Sequence, residues 1–450
     1  MRVAVSLAWG FIPTAEIAGL MFLVALSNPA TAGIEDFTPP QRFTDSAEKY
    51  RLSRASNLHM AIGPTGRLHA TYWSGSEMGT TPARPSYVYY RFWEPLTGWA
   101  PQVRIDESEV SGLHLGGRHP SLALTPNRTV WILWSDSRNC TAGGNWNDNT
   151  EIYGDFKTPG GSFSEGDFRF TTTAAAHNGD NSLTPRIVSD ALGRLSFCWF
   201  DFHHDPDIAD IFLRTSSATG EFELTQPIDE NRLTDLNERG GGPSYSVPDM
   251  AIDSNGTRHL VWVGGFGAGG DLVYAELPLG ETEIAEQVLA VDAADFFDPP
   301  HITVAPNDDV WIVYGDDTVS GGEDLVLRRK LAGQSVFDAS FVVVSGPGRQ
   351  ISGDAEVDSN GIVHLVWLDE NAERHIHYGR FDPLFPAMVE TFPLTEEAGN
   401  WIRPTLLLND EGEVYVMWEE NISLTEGDLW FTTTARYEPT AAVGNWDLFR

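Results

Sequence analysis

Short apolar stretches alternate with polar residues along this chain, and one phrase recurs seven times. A proline or small residue opens an apolar run, an Asn/Asp/Gly turn follows, and a second run ends on Trp or Tyr. PSLALTPNRTVWILW, PDMAIDSNGTRHLVW and PHITVAPNDDVWIVY are three of the copies. Alternation with a period of two marks half-buried strands, and turn residues between two such runs mark a hairpin. In the fourth copy Asp253-Ser254-Asn255-Gly256 separates residues 248–252 from 259–262. A third run follows, as in DLVYAE at 271–276, DLVLRR at 324–329 and DLWFT at 428–432. The closing aromatics are Tyr72, Trp134, Trp199, Trp262, Tyr314, Trp367 and Trp418, spaced 51 to 65 residues apart. A period that long, built from strands and turns alone, predicts blades around an axis. The expected fold is all-β: a seven-bladed propeller of four-stranded antiparallel blades.

The chain start completes the pattern. Gln41-Arg42-Phe43-Thr44 resembles Asn231-Arg232-Leu233-Thr234, and each ends 28 residues before a closing aromatic. Residues 41–45 are therefore expected to form the outer strand of the last blade. Joining both chain ends in one blade closes the ring and removes open sheet edges.

Composition adds an address. Arg2, the apolar stretch 17–26 and Ala30-Thr31-Ala32 read as a secretory signal over residues 1–32, leaving 33–450 as a single propeller domain. No later stretch is long and apolar enough to span a bilayer. The net charge of −35 disfavours nucleic acid and anionic membranes as partners. A secreted, periplasmic or cell-surface monomer is expected, with no cofactor. The two cysteines, Cys140 and Cys198, fall in adjacent blades, and export permits oxidation. A bridge between them and a free buried Cys198 are equally compatible with the spacing.

Proline, strand, D-x-x-G turn, "HLVW", acidic loop and "DLVY"-like strand resemble the neuraminidase-like (sialidase-superfamily, BNR-type) propeller repeats of secreted bacterial proteins. The resemblance covers nearly all of residues 33–450 and implies the propeller fold. The Asp-box S-x-D-x-G-x-T-W is missing from every copy, and the sialidase R-I-P motif has no clear counterpart.

The repeat separates framework from candidate chemistry. His69, His259 and His364 share a slot three positions before the closing aromatic and read as packing elements. Thirteen positions before it stand His59, Ser121, Arg186, Asp249, His301, Asp354 and Thr405, polar in every copy and chemically varied. This slot begins the innermost strand beside the central channel. Two positions after the aromatic come Ser74, Asp136, Asp201, Gly264, Asp316, Asp369 and Glu420. Both rings belong to the same end of the hairpin, the face where propeller loops present ligand sites.

Blades 2 to 4 are longer than blades 5 to 7. After Trp134 the chain exposes Arg138 and Trp146, suited to stacking and hydrogen-bonding a sugar. Arg118 and His119 make a basic spot in an acidic protein. After Trp199 the run 201–207 carries His203, His204 and several aspartates, but no metal-ligand spacing, so no metal is assigned. The loop before blade 4 adds Tyr245.

Two functions follow. One is an extracellular propeller that binds a carbohydrate or other polymer on the loop-built face of blades 2–4, using His59, Asp249, Asp354, Arg138, Trp146 and Arg403. The alternative is a glycan-cleaving enzyme. A polysaccharide lyase needs a Tyr or His base with an Arg or His facing the substrate carboxylate, from Tyr245, His119, His203, His301 and Arg186. A sialidase-type hydrolase needs an arginine cluster, for which Arg186, Arg403 and Arg118 are the candidates.

Overall fold

A computed structural model of the chain describes residues 36–435, apart from 45–49, 52–58, 76–85, 108–115, 140–148, 165, 173–180, 206–207, 218–221, 223–231, 235–246, 265–269, 295–297, 319–321, 372 and 424–425. Seven antiparallel blades form a closed ring, and no α-helix occurs among the described residues. Among the described residues no helix is long and apolar enough to cross a membrane. The expected leader 1–32 lies outside the described residues.

Each blade begins at the axis with the first strand of its phrase, pairs it with the strand carrying the closing aromatic, and continues outward. In blade 4, Asp249–Ile252 pairs with Arg258–Gly264, which pairs with Gly270–Leu277 and then Ala285–Ala294. The last blade is closed from the other end of the chain, because Gln41 lies opposite Phe431 and Arg42 opposite Trp430. Arg42 Nη1 and Thr44 Oγ1 donate to the two oxygens of Asp428, at 3.0 and 3.1 Å. In blade 3, Arg232 Nε and Thr234 Oγ1 hold Asp210 in the same manner, at 2.9 and 3.1 Å. Arg169 and Thr171 do the same to Glu151 in blade 2. The Arg-x-Thr signature is therefore an outer-strand clasp on the carboxylate that starts the third strand.

The hydrophobic core is divided among the blade-to-blade interfaces. Tyr72 of blade 1 packs with Met417 and Phe431 of blade 7, and Cys198 of blade 3 with Trp262 of blade 4. All seven closing aromatics are at most 2% exposed. Cys198 is a free thiol, fully buried, and burial raises its pKa. Cys140 lies outside the described residues.

Candidate functional site

The framework histidines are engaged inside the blades. Nδ1 of His69, His259 and His364 sits 2.6, 2.7 and 2.6 Å from the hydroxyls of Tyr90, Tyr274 and Tyr378 on the third strands. Burial is the leading cause that lowers each of these histidines' pKa, that of His69 to about 4. The acidic slot after the closing aromatic is also engaged. Asp136 accepts the indole N–H of Trp134 at 3.0 Å, Asp201 that of Trp199 at 2.9 Å, and Asp316 the hydroxyl of Tyr314 at 3.3 Å.

The slot thirteen positions before the aromatic forms a waist in the channel. Its seven residues are at most 2% exposed. Same-slot side chains of neighbouring blades meet there. His301 places Nδ1 2.7 Å from Asp249 Oδ2 and Nε2 2.9 Å from Asp354 Oδ1. Arg186 Nε lies 3.9 Å from Asp249 Oδ1, and Thr405 Oγ1 donates to Asp354 Oδ2 at 2.7 Å. Even-numbered blades present acceptors, which also take the next blade's backbone. Ser121 Oγ accepts from Ile187 N, Asp249 Oδ2 from Ile302 N and Asp354 Oδ2 from Leu406 N, at 3.1, 3.1 and 2.9 Å.

Donors and acceptors thus alternate from blade 2 to blade 7. Seven is odd, so alternation must fail once, and it fails at His59. Among the described residues, neither ring nitrogen of His59 has a hydrogen-bond partner. Burial, with a smaller push from Arg186 and an opposing pull from Asp354, drives its pKa down to about 3, so the ring is neutral. His301 is the reverse: its burial is outweighed by Asp354 and Asp249, which hold its pKa well above the ordinary histidine value.

A second shared device lies two positions upstream, at the mouth. His119, Thr184, Ser352 and Arg403 all have φ of 52°, and the strand pairing skips at each of them. Such a bulge bends a strand and re-aims its side chains. Four blades share the bulge, so it is architectural, while the side chain it carries differs in each.

Two of those side chains, His119 of blade 2 and Arg403 of blade 7, flank blade 1. They are joined through it. The His119 ring lies 5.2 Å from that of Trp73, and the Arg51 guanidinium is 5.8 Å from the Trp73 ring centre. Arg51 Nη1 is 3.8 Å from Glu419 Oε1, and Glu419 Oε2 accepts from Arg403 Nη1 at 2.9 Å. Arg51, Trp73 and Glu419 are buried, whereas His119 and Arg403 are half-buried and reach the surface.

The structure thus gathers His59, Arg186, Asp249, His301 and Asp354 at the waist, and His119 and Arg403 at the mouth. Arg118, 1% exposed, precedes His119 in the inner strand of blade 2. Arg138 is held elsewhere, with Nη2 2.7 Å from Asp136 and 2.5 Å from Asp167 and the guanidinium over Tyr153. Trp146 and Tyr245 lie outside the described residues, as does the side chain of His203. Among the described residues, no group of three or more His, Cys, Asp or Glu side chains is placed to hold a metal ion. Sequence reasoning missed Arg51, Trp73 and Glu419. Arg51 belongs to no repeat, but Glu419 left a signal: its slot holds Trp73, Ser135, Phe200, Val263, Gly315 and Leu368 elsewhere, and a carboxylate there is out of place.

No family model matches the sequence, and no curated protein does either. Solved structures share the fold. An ulvan lyase of polysaccharide lyase family PL25, bound to -[GlcA(1-4)Rha3S]-, superposes with a TM-score of 0.56 at 10% identity, over 86% of this chain and 94% of that one. The polysaccharide lyase Uly1 gives 0.54 at 12% identity, over 88% and 99%. The endosialidase of phage phi92 gives 0.53 at 7% identity, over 91% and 71%. The sialidase-like propeller architecture is therefore shared with glycan-acting proteins.

Proposed function

We propose that this is an exported propeller that binds a carboxylate-bearing polysaccharide at the mouth over blades 7, 1 and 2. The observation that carries the reading is the contact chain His119–Trp73–Arg51–Glu419–Arg403. Arg403 supplies the planar donor fork that suits a carboxylate, and buried Glu419 and Arg51 hold that fork in place. The structural neighbours that act on acidic glycans support the same substrate class. The loops of blades 2–4 that carry Trp146, His203 and Tyr245 remain part of the proposed binding face.

A second reading is favoured by His119. A half-buried imidazole on the rim that holds the guanidinium is the pair a uronate lyase requires. His119 would take the proton alpha to the uronate carboxylate, Arg403 would stabilise the resulting enolate, and the bond to the leaving sugar oxygen would break to give an unsaturated sugar.

Incubation with a panel of uronic-acid polymers, with absorbance of the unsaturated product and retention on immobilised polymer both followed, tests the two. Retention lost in Arg403→Gln, with no product, fits binding alone. Product formation lost in His119→Ala establishes the lyase. Neither retention nor product across the panel overturns both.

A further inference from the structure

The third strands repeat their chemistry as the inner strands do. Opposite the closing aromatic they place Tyr89, Tyr153, Phe212, Val273, Val326 and Trp430, all apolar or aromatic. Two residues earlier, opposite the slot after the aromatic, five blades start the strand with Glu151, Asp210, Asp271, Asp324 or Asp428. Blade 6 departs at both positions. His377 lies opposite Trp367, and His375 lies opposite Asp369. Its outer strand departs with them. Where Arg42, Arg169 and Arg232 open the Arg-x-Thr clasp, blade 6 reads Pro393-Leu394-Thr395. Thr395 Oγ1 still accepts from Ile376 N at 3.1 Å, but the arginine and the carboxylate of the clasp are both replaced.

Strand residues two apart face the same side. His375 and His377 therefore share one face of Arg374–Asp382, both half-buried, while Ile376 and Tyr378 turn into the core. The two imidazole centres are 6.4 Å apart with their planes at 85°. His375 Nδ1 sits 3.0 Å from the carbonyl oxygen of Thr395. A carbonyl only accepts, so Nδ1 carries the proton and Nε2 keeps the lone pair. That is how a metal-ligating histidine is held, its other nitrogen donating to a backbone carbonyl. Nε2 lies 3.7 Å from Glu373 Oε2. Two donors each about 2.1 Å from one ion lie at most roughly 4.2 Å apart. The His377 ring rests against that of Trp367, with centres 5.4 Å apart, and makes no hydrogen bond among the described residues.

We propose that this His-x-His pair chelates a divalent transition-metal ion, Cu²⁺ ahead of Zn²⁺, through His375 Nε2 and a ring nitrogen of His377. Imidazole selects these ions over Mg²⁺ and Ca²⁺, which prefer oxygen. The side chains form no ready-made triad, so Glu373, whose side chain is 70% exposed, turns in on binding and water completes the shell. Asp369 across the strand pair adds negative charge, and Pro393 puts no guanidinium where the clasp arginine of other blades stands. The pair lies on a third strand, apart from the inner strands that carry His119 and Arg403, and does not depend on the proposed polysaccharide mouth.

The test is calorimetric titration of the untagged, metal-free full chain with Cu²⁺, Zn²⁺ and Mg²⁺ at pH 7.5. A saturable Cu²⁺ site is expected, with Zn²⁺ weaker and Mg²⁺ silent. His377→Val restores the residue that blades 4 and 5 carry in this slot, so the fold should hold, and circular dichroism of the metal-free variant checks it. That variant and His375→Gln should each weaken the Cu²⁺ site by at least about tenfold. Electron paramagnetic resonance of the Cu²⁺ complex should show two coordinated imidazoles in the wild type and one in His377→Val. No saturable Cu²⁺ binding, wild-type affinity in both variants, or a resonance spectrum unchanged by His377→Val would each overturn the proposal.

Discussion

At the waist of the channel seven side chains, none more than 2% exposed, answer one another; at the mouth, one turn of the same strands away, His119 and Arg403 reach solvent from a buried support. Both levels vary from blade to blade, yet for different reasons. A buried ring cannot repeat one charge, because like charges would face each other across a few ångströms in a low dielectric. Variation at the waist is thus what pairing requires: Asp249 needs His301, and His301 needs Asp354. The bulge itself does not fix the side chain it carries, since Thr184 and Ser352 occupy it in other blades.

The largest effect expected from this contrast is at the waist. His301→Leu leaves two buried carboxylates without their shared partner and should cost about 3–5 kcal/mol of unfolding free energy. Urea denaturation at neutral pH measures it, and a loss below about 1 kcal/mol would show that the ring does not clasp the blades. At the mouth, Arg403→Gln should weaken acidic-polysaccharide retention by about 10- to 100-fold. Its stability loss should be smaller than that of His301→Leu, since Arg51 still faces Glu419.

The fold was legible almost entirely. Seven closing aromatics set the blade count, and the shared Arg-x-Thr of residues 42–44 and 232–234 located the closing strand. That works because strand periodicity and turn chemistry are local properties. The waist was legible as a polar ring, but its pairing was not, because one blade's slot says nothing of its neighbour until the axis brings them together. The mouth was half legible. His119 stood out with Arg118 as a basic spot in an acidic chain, and Arg403 as a member of a candidate arginine cluster, but Arg51 and Trp73 reach them only through the closure of the ring.

Acid should act through the waist and the framework. His59 and His69 have folded pKa values of about 3 and 4, below the unfolded 6.5. Unfolding then takes up protons between pH 6.5 and those values, so stability present above 6.5 drains as pH falls toward 4. His301 runs the other way: its raised pKa contributes fully below 6.5 and is lost as pH climbs through its folded value. Melting temperature against pH should therefore fall on both sides, and a flat acid limb would contradict the buried neutral state of His59.

The smallest effect sharpens the contrast most. His59→Met removes the one ring member whose side chain has no hydrogen-bond partner among the described residues, at the place where an odd ring cannot alternate. Deleting a buried, unsatisfied polar group while keeping volume should stabilise by about 1 kcal/mol, the reverse of His301→Leu at the same slot of blade 5. It should also shallow the acid limb, since the titrating group is gone, leaving the part due to the other buried histidines, His69, His259 and His364 among them. Two substitutions at one repeat slot, of opposite sign, are what a frustrated ring demands. If both destabilise alike, the slot is a uniform packing layer and the alternation of donors and acceptors carries no energy.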